Sequence, residues 1–264
     1  MADDERPVRP NPVRDLAAAV GFLTVLPFGR VWREGREPRG VGFYPWVGWI
    51  LGGAAGGALL ALTRLAGHPP RTAAALGGAL VVAGWALLTR FLHWDGLADS
   101  ADGVLGGSTP ERRLEIMRDS RIGSFGAAAV VMVALVQVSA AGALVARGLW
   151  WVLVAAPVIG RAAASAAAWT LPAARREGLG LSVVRRPGTY DLVVWAIGTA
   201  SVAALFFAGA PVRPLATTCM AGLAAAVLVP SALARPVGGV TGDVLGASVL
   251  LVEIVVLVTG VVAS

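Results

Sequence analysis

Three aspartates, Asp95, Asp99 and Asp102, stand at i, i+4 and i+7 within residues 90–123, RFLHWDGLADSADGVLGGSTPERRLEIMRDSRIG. On a helix this spacing puts all three carboxylates on one stripe. Like charges on one stripe repel unless a cation sits between them. Carboxylate oxygens are hard donors and favour Mg²⁺, Mn²⁺ or Ca²⁺ over zinc. The segment holds six of the sixteen acidic residues in the chain. Gly96, Gly103, Gly106 and Gly107 leave the backbone open to a ligand. His93 precedes the aspartates and is either a capping or interfacial residue or a proton acceptor. The plain alternative for the whole stretch is a wet polar loop between two helices.

Other charged residues invite the same question. Ser108, Thr109 and Pro110 read as the start of a short amphipathic helix with Glu111 in its first turn. In that helix, ERRLEIMRDSR, the arginines Arg112, Arg113, Arg118 and Arg121 can grip phosphates in bidentate fashion or serve as membrane-surface anchors. Residues 172–188 carry two arginine pairs around a glycine-containing turn. Arg161 lies inside an apolar run, where a charge costs at least ~2.5 kcal/mol and needs a partner or a wet cavity. Glu253, midway along the last apolar run, is the candidate partner. Thr241 and Asp243 open that run, as helix-capping residues or as part of a metal site.

These residues need a scaffold, and composition says which kind. Of 264 residues, 56% are hydrophobic and only 14% are charged, against a usual charged share of about 25%. Mean hydropathy is +0.73. Such a chain is a polytopic membrane protein. Every one of its 22 basic residues is arginine, and they gather in loops, so topology rather than nucleic-acid binding accounts for the net charge of +6. The single cysteine, Cys219, excludes an intramolecular disulfide and a cysteine-based metal cluster.

Residues 1–12 are polar and proline-rich and read as a disordered tail; 13–264 read as one membrane-embedded catalytic domain. The apolar stretch 13–28 is too short to span and reads as an interfacial helix. Seven longer apolar segments follow, near 43–66, 72–92, 123–146, 149–171, 190–209, 213–234 and 241–263. The fold class is therefore all-α, a bundle of about seven transmembrane helices, with six or eight as the other counts. GGAAGG at 52–57 suits close helix packing in lipid. Seventeen arginines fall on the side of the tail and the long loops and four on the other, so the tail, the aspartate segment and Asp243 are expected on the cytoplasmic side.

HWDGLADSADG (93–103), LEIMRDSRIG (114–123), REGLG (176–180) and GGVTGDVLGA (238–247) resemble the cobalamin synthase family, the adenosylcobinamide-GDP ribazoletransferases. FLTVLPF (22–28) and YPWVGWILG (44–52) resemble its N-terminal region, so the likeness runs through nearly the whole chain in order. Val25 departs from the pattern, which has a basic residue there. The resemblance implies a bacterial inner-membrane transferase that joins adenosylcobinamide-GDP to α-ribazole or its 5′-phosphate and releases GMP. It implies Mg²⁺ as cofactor, held by Asp95, Asp99, Asp102 and Asp243. It implies Asp95, Asp99, Asp102 or His93 in catalysis and Arg118, Arg121, Arg161, Arg176, Glu177 and Thr241 in substrate binding. The partners are a corrinoid nucleotide, a ribazole and the lipid bilayer, with no nucleic acid; a homo-oligomer is admitted.

Two other readings stay open. A CDP-alcohol phosphotransferase has a related aspartate pattern, but Asp99-Ser100 stand where it has Ala-Arg. A cation or proton transporter would spread its polar groups through the bilayer depth, and here most lie at one end of the spans.

Overall fold

The computed structural model describes residues 11–28, 40–174, 184 and 186–264. Among these it is all-helical, with one isolated backbone bridge between Ala173 and Val240. The helices are α1 (Pro12–Leu23), α2 (Tyr44–Ala66), α3 (Arg71–Leu88), α4 (Leu92–Gly106), α5 (Pro110–Ile116), α6 (Ser124–Arg147), α7 (Trp150–Thr170), α8 (Thr189–Ala200), α9 (Val212–Val237) and α10 (Gly242–Ala263). A 3₁₀ turn, Ser201–Phe206, extends α8. Among the described residues six helices are long and apolar enough to cross a membrane, and the pair α3–α4, bent by 88°, brings the number to seven when counted as one broken span. The all-α membrane bundle expected from hydropathy is the observed fold.

The core is built on α7, buried along almost its whole length. Helices α2, α9 and α10 pack on it, α3 packs on α6, and α4 lies against α10 and α6. Small residues make the α2–α7 contact possible: a Cβ added at Gly52 would lie 2.7 Å from the Val154 carbonyl oxygen, and one at Gly56 2.6 Å from that of Trp150. Gly53 and Gly57 meet nothing. Half of the GGAAGG motif is therefore an interface, as small-residue packing in lipid requires.

Two segments differ from their sequence reading. The helix expected over 111–121 ends at Ile116, because the Asp119 carboxylate accepts from the Arg121 backbone N–H at 3.0 Å and turns the chain. Segment 72–92 stops as a helix at Leu88 and turns a corner. The short α1 fits the interfacial reading: at ~1.5 Å per residue, 12 residues cannot cross ~30 Å of hydrocarbon. Residues 1–10 of the expected tail lie outside the described residues.

Candidate active site

The corner between α3 and α4 sets the direction of the aspartate stripe. Arg90 and Phe91 are both left-handed, with φ of 51° and 56°. For residues with a Cβ this costs roughly 1–2 kcal/mol each. The surroundings hold them there. The Phe91 N–H donates to the Ala86 carbonyl at 2.8 Å, and the Thr89 hydroxyl to the Trp85 carbonyl at 2.8 Å. The chain leaving α1 clamps the same corner: the Val25 N–H donates to the Leu88 carbonyl at 2.8 Å, and the Arg90 guanidinium reaches the Thr24 carbonyl at 3.5 Å. Strain of this kind persists only where its neighbours over-determine it.

Beyond the corner, α4 carries Asp95, Asp99 and Asp102 on one stripe, but their surroundings differ. Asp95 is exposed, Asp99 half-buried and Asp102 buried. Asp102 accepts from the backbone N–H groups of Gly123 at 2.7 Å and Gly126 at 2.8 Å. Its carboxylate thus satisfies the open donors at the start of α6 and sits at the positive end of that helix. Asp95 and Asp102 are seven residues apart, ~10 Å along the axis at 1.5 Å per residue, too far for one small cation. The expected four-carboxylate cage is not preformed: among the described residues no three His, Cys, Asp or Glu side chains are grouped closely enough to hold a metal ion.

What the structure does bring together is α4 and the start of α10. A Cβ on Gly96 would stand 2.8 Å from the Asp243 carbonyl oxygen and 3.0 Å from its Cα, so only glycine permits this crossing. Gly246 faces His93 and Gly96 in the same contact. Asp95 and Asp99 flank Gly96 at i−1 and i+3, on the helix whose Gly96 crosses the backbone of half-buried Asp243. The cap of α10 is Thr241, whose hydroxyl oxygen accepts from the Val244 N–H at 3.1 Å; the same hydroxyl lies 3.3 Å from the Asp243 carboxylate. Asp243 stands one residue inside the helix and is not the cap. Gly239, at φ 154°, lies so close to Pro172 that a Cβ would be 2.4 Å from its carbonyl oxygen. There the Val240 N–H donates to Pro172 at 2.8 Å and the Ala174 N–H to Val240 at 3.0 Å. This ties the start of the arginine-rich loop to the crossing. Arg176 and Glu177, expected in substrate binding, lie outside the described residues.

On the other flank, α5 docks on α4. Met117 packs where a Cβ on Gly103 would go, and Arg113 donates to the Pro236 carbonyl at 2.8 Å. Arg118 is exposed. Arg121 is exposed too and forks onto Asp119, with contacts of 2.7 and 3.0 Å. Hydrogen bonds from the Arg121 side chain and backbone hold the Asp119 carboxyl down at about 2, and Asp119 in turn raises the Arg121 guanidinium.

Arg161 and Glu253 pair as expected, each 2% exposed. Gln137 of α6 donates to the second Glu253 oxygen at 3.3 Å. Arg161 is therefore inside the bundle and not at the surface where Asp95 lies, which separates it from the other substrate-binding candidates. His93 is 4% exposed, and its side chain points into the same interior. The sequence reading missed Gln137 and the capping part of Asp102. Gln137 is the only glutamine of the chain, alone in an apolar span; that isolation was its signal.

The donors at the crossing fit Mg²⁺. This ion keeps several waters and is usually held by one or two carboxylates plus substrate phosphates, so an all-protein cage is not required. One or two of Asp95, Asp99 and Asp243 would serve, with a diphosphate supplying further oxygens.

The family model for cobalamin-5-phosphate synthase matches residues 15–261. An adenosylcobinamide-GDP ribazoletransferase of Bradyrhizobium diazoefficiens is 38% identical over 252 residues, 94% of this chain and 93% of that protein. Another, of Syntrophobacter fumaroxidans, is 39% identical over 246 residues, 90% of this chain and 94% of its own. No solved structure matches the chain. With the motif-bearing helices inside a match that runs from Asp15 in α1 almost to the end of α10, the chain belongs to the cobalamin-5-phosphate synthase family.

Proposed function

We propose that this protein is an adenosylcobinamide-GDP ribazoletransferase acting at the last stage of cobalamin assembly. The observation that carries the reading is the α4–α10 crossing, where Gly96 of the aspartate-bearing helix packs on the backbone of Asp243. A transporter reading is less favoured, since the one buried ion pair described in the membrane interior is closed on itself.

A ribose hydroxyl of α-ribazole, or of its 5′-phosphate, attacks the phosphorus attached to cobinamide. The bond from that phosphorus to the bridging oxygen breaks, and GMP leaves with the electron pair. Asp95 or Asp99 takes the hydroxyl proton, since both are on the open side of α4 while His93 is turned inward. Mg²⁺ held by one or two of Asp95, Asp99 and Asp243 would supply charge neutralisation on the diphosphate. Arg118 stands exposed at the same end of the bundle and meets phosphate oxygens, and Arg121 joins it by exchanging Asp119 for the substrate. Arg176 and Glu177 complete the substrate contacts from the loop anchored at Val240, while Thr241, buried as the cap of α10, positions Asp243.

The arginine bias puts this end of the bundle on the cytoplasmic side of the bacterial inner membrane. Labelling a cysteine at exposed Ser108, in a Cys219-free background, tests the side: reagent outside intact cells should not reach it. The activity is tested with purified membranes, adenosylcobinamide-GDP and α-ribazole, following GMP and the corrinoid product. Absence of GMP release with both substrates and Mg²⁺ would overturn the assignment.

A further inference from the structure

Below the crossing, Thr89, His93, Gln137, Arg161 and Glu253 line a small cavity with Trp85 and Trp94. Its volume is about 10 Å³, measured as space open to the centre of a water molecule. That is about the room one water needs, and a water settles there only where several polar groups face it. They do. Both ring nitrogens of His93 and the Nε of Arg161 are buried with no hydrogen-bond partner among the described residues. A neutral imidazole presents one donor and one acceptor, and a guanidinium Nε is a donor. One water is able to accept from the Arg161 Nε–H and to bond one ring nitrogen of His93, the other nitrogen pointing away across the ring. Native interiors rarely leave such atoms unmet.

We propose that this cavity holds a single ordered water joining His93 to the Arg161–Glu253–Gln137 network, and that the network is a positioning device for α4. It draws on four helices: Gln137 from α6, Arg161 from α7, Glu253 from α10 and His93 from α4. Thr89 and Trp85 bring in the strained end of α3 as well. His93 stands two residues before Asp95, so fixing its ring fixes the first turn of the aspartate stripe. The network touches no substrate. It acts on the chemistry by holding the carboxylates of α4 in place, and so rests on the reading of the crossing as the active site.

The test compares wild type with R161M/E253L. Removing both charges together for apolar side chains of similar volume is often neutral or stabilising, whereas removing one leaves a buried unpaired charge. GMP release by wild type is measured first. If wild type releases none, the active-site reading fails, and not the positioning claim. With wild type active, the double variant is expected to keep its thermal midpoint and its KM for adenosylcobinamide-GDP, while kcat falls roughly ten- to hundredfold, as for other residues that orient a site from behind. An unchanged kcat in the folded double variant overturns the proposal. Should that variant not fold, Gln137→Met keeps the volume and removes one hydrogen-bonding member; a lower kcat at constant KM supports the device, and a lower yield with unchanged kcat overturns it. An experimental map of the wild-type protein should show a water bonded to His93 and Arg161 Nε, and an empty cavity there would remove the water from the network.

Discussion

Two groups of carboxylates share this bundle and live under opposite conditions. Asp102 and Glu253 are buried, and the structure uses up their oxygens: one holds the start of α6, the other holds Arg161 and Gln137. Asp95, Asp99 and Asp243 sit at a helix crossing that opens outward, exposed or half-buried, with glycines in the contact. A buried carboxylate must be satisfied within the protein or it destabilises the fold. One at an open crossing is able to bind a cation and a substrate. Residue type does not separate the two groups, since Asp99 and Asp102 are three residues apart on the same helix. Which neighbour each faces does.

The comparison breaks most sharply with Asp99→Asn. It should lower GMP release by roughly 10²–10⁴-fold, the range for losing a positioned acid or base, with the thermal midpoint near that of wild type. Chelation should abolish turnover in the wild type, and added Mg²⁺ should restore it. Full activity in chelator-treated enzyme would take metal out of the mechanism. Asp243→Ser should lose turnover without losing the helix, because Thr241 and not Asp243 is the cap. Near-normal turnover at saturating Mg²⁺ would remove Asp243 from the site.

Gly96→Ala comes next and acts on both properties at once. Its Cβ would stand 2.8 Å from a backbone oxygen, which no side-chain rotation relieves. Overpacking of this kind costs about 1–3 kcal/mol. Because the displaced helix carries Asp95 and Asp99, kcat should fall together with the thermal midpoint. A fall in stability with kcat intact would mean that the crossing does not set the chemistry.

Asp102→Asn should show the reverse of Asp99→Asn. The amide keeps one acceptor but loses the charge at the start of α6, and one of the N–H groups of Gly123 and Gly126 loses its acceptor. The expected loss is about 1–3 kcal/mol, from an unsatisfied buried donor, with kcat per folded molecule close to wild type. A variant as stable as wild type but inactive would return Asp102 to the metal site.

How much of this was legible depends on how local the cause is. Spans were, because about 20 apolar residues in a row have few other fates in water; α2 begins at Tyr44 and ends at Ala66 against an expected 43–66. The Arg161–Glu253 pair was legible for a similar reason, since a charge in hydrocarbon demands a partner and the sequence offers few. The corner at Arg90 and Phe91 was not. Neither residue favours a left-handed backbone, and its supports come from α1, over sixty residues upstream. The spacing of Asp102 put it correctly on the stripe with Asp95 and Asp99. It said nothing of α6 arriving at that end, so a capping carboxylate read as a fourth ligand. The arginine bias placed Asp243 and the stripe at one end of the spans, and the glycine contact between their helices became visible only with both in place.

The smallest effect belongs to Asp119, and it sharpens the comparison from outside. Its pair with Arg121 is solvent-exposed, with side-chain exposures of 41% and 86%, so water and salt screen it. Hydrogen bonds from Arg121 lower its carboxyl from an ordinary 3.8 to about 2. A depressed carboxyl contributes stability that is fully present above its unfolded value and lost as pH falls through its folded one. The window is therefore from about pH 4 down to about 2, and the pair adds nothing that varies between pH 5 and 8. Asp119→Asn should lower the neutral thermal midpoint only slightly, by the small screened contribution of the pair, and converge on wild type below about pH 2. It should also leave kcat unchanged at neutral pH. Its KM for adenosylcobinamide-GDP should stay level or fall, because Arg121 no longer has to exchange a carboxylate for a phosphate. If kcat instead collapses at neutral pH in a folded variant, Asp119 belongs with Asp95 and Asp99 among the reacting carboxylates. The boundary between the two groups would then have to be drawn through α5 and not through α4.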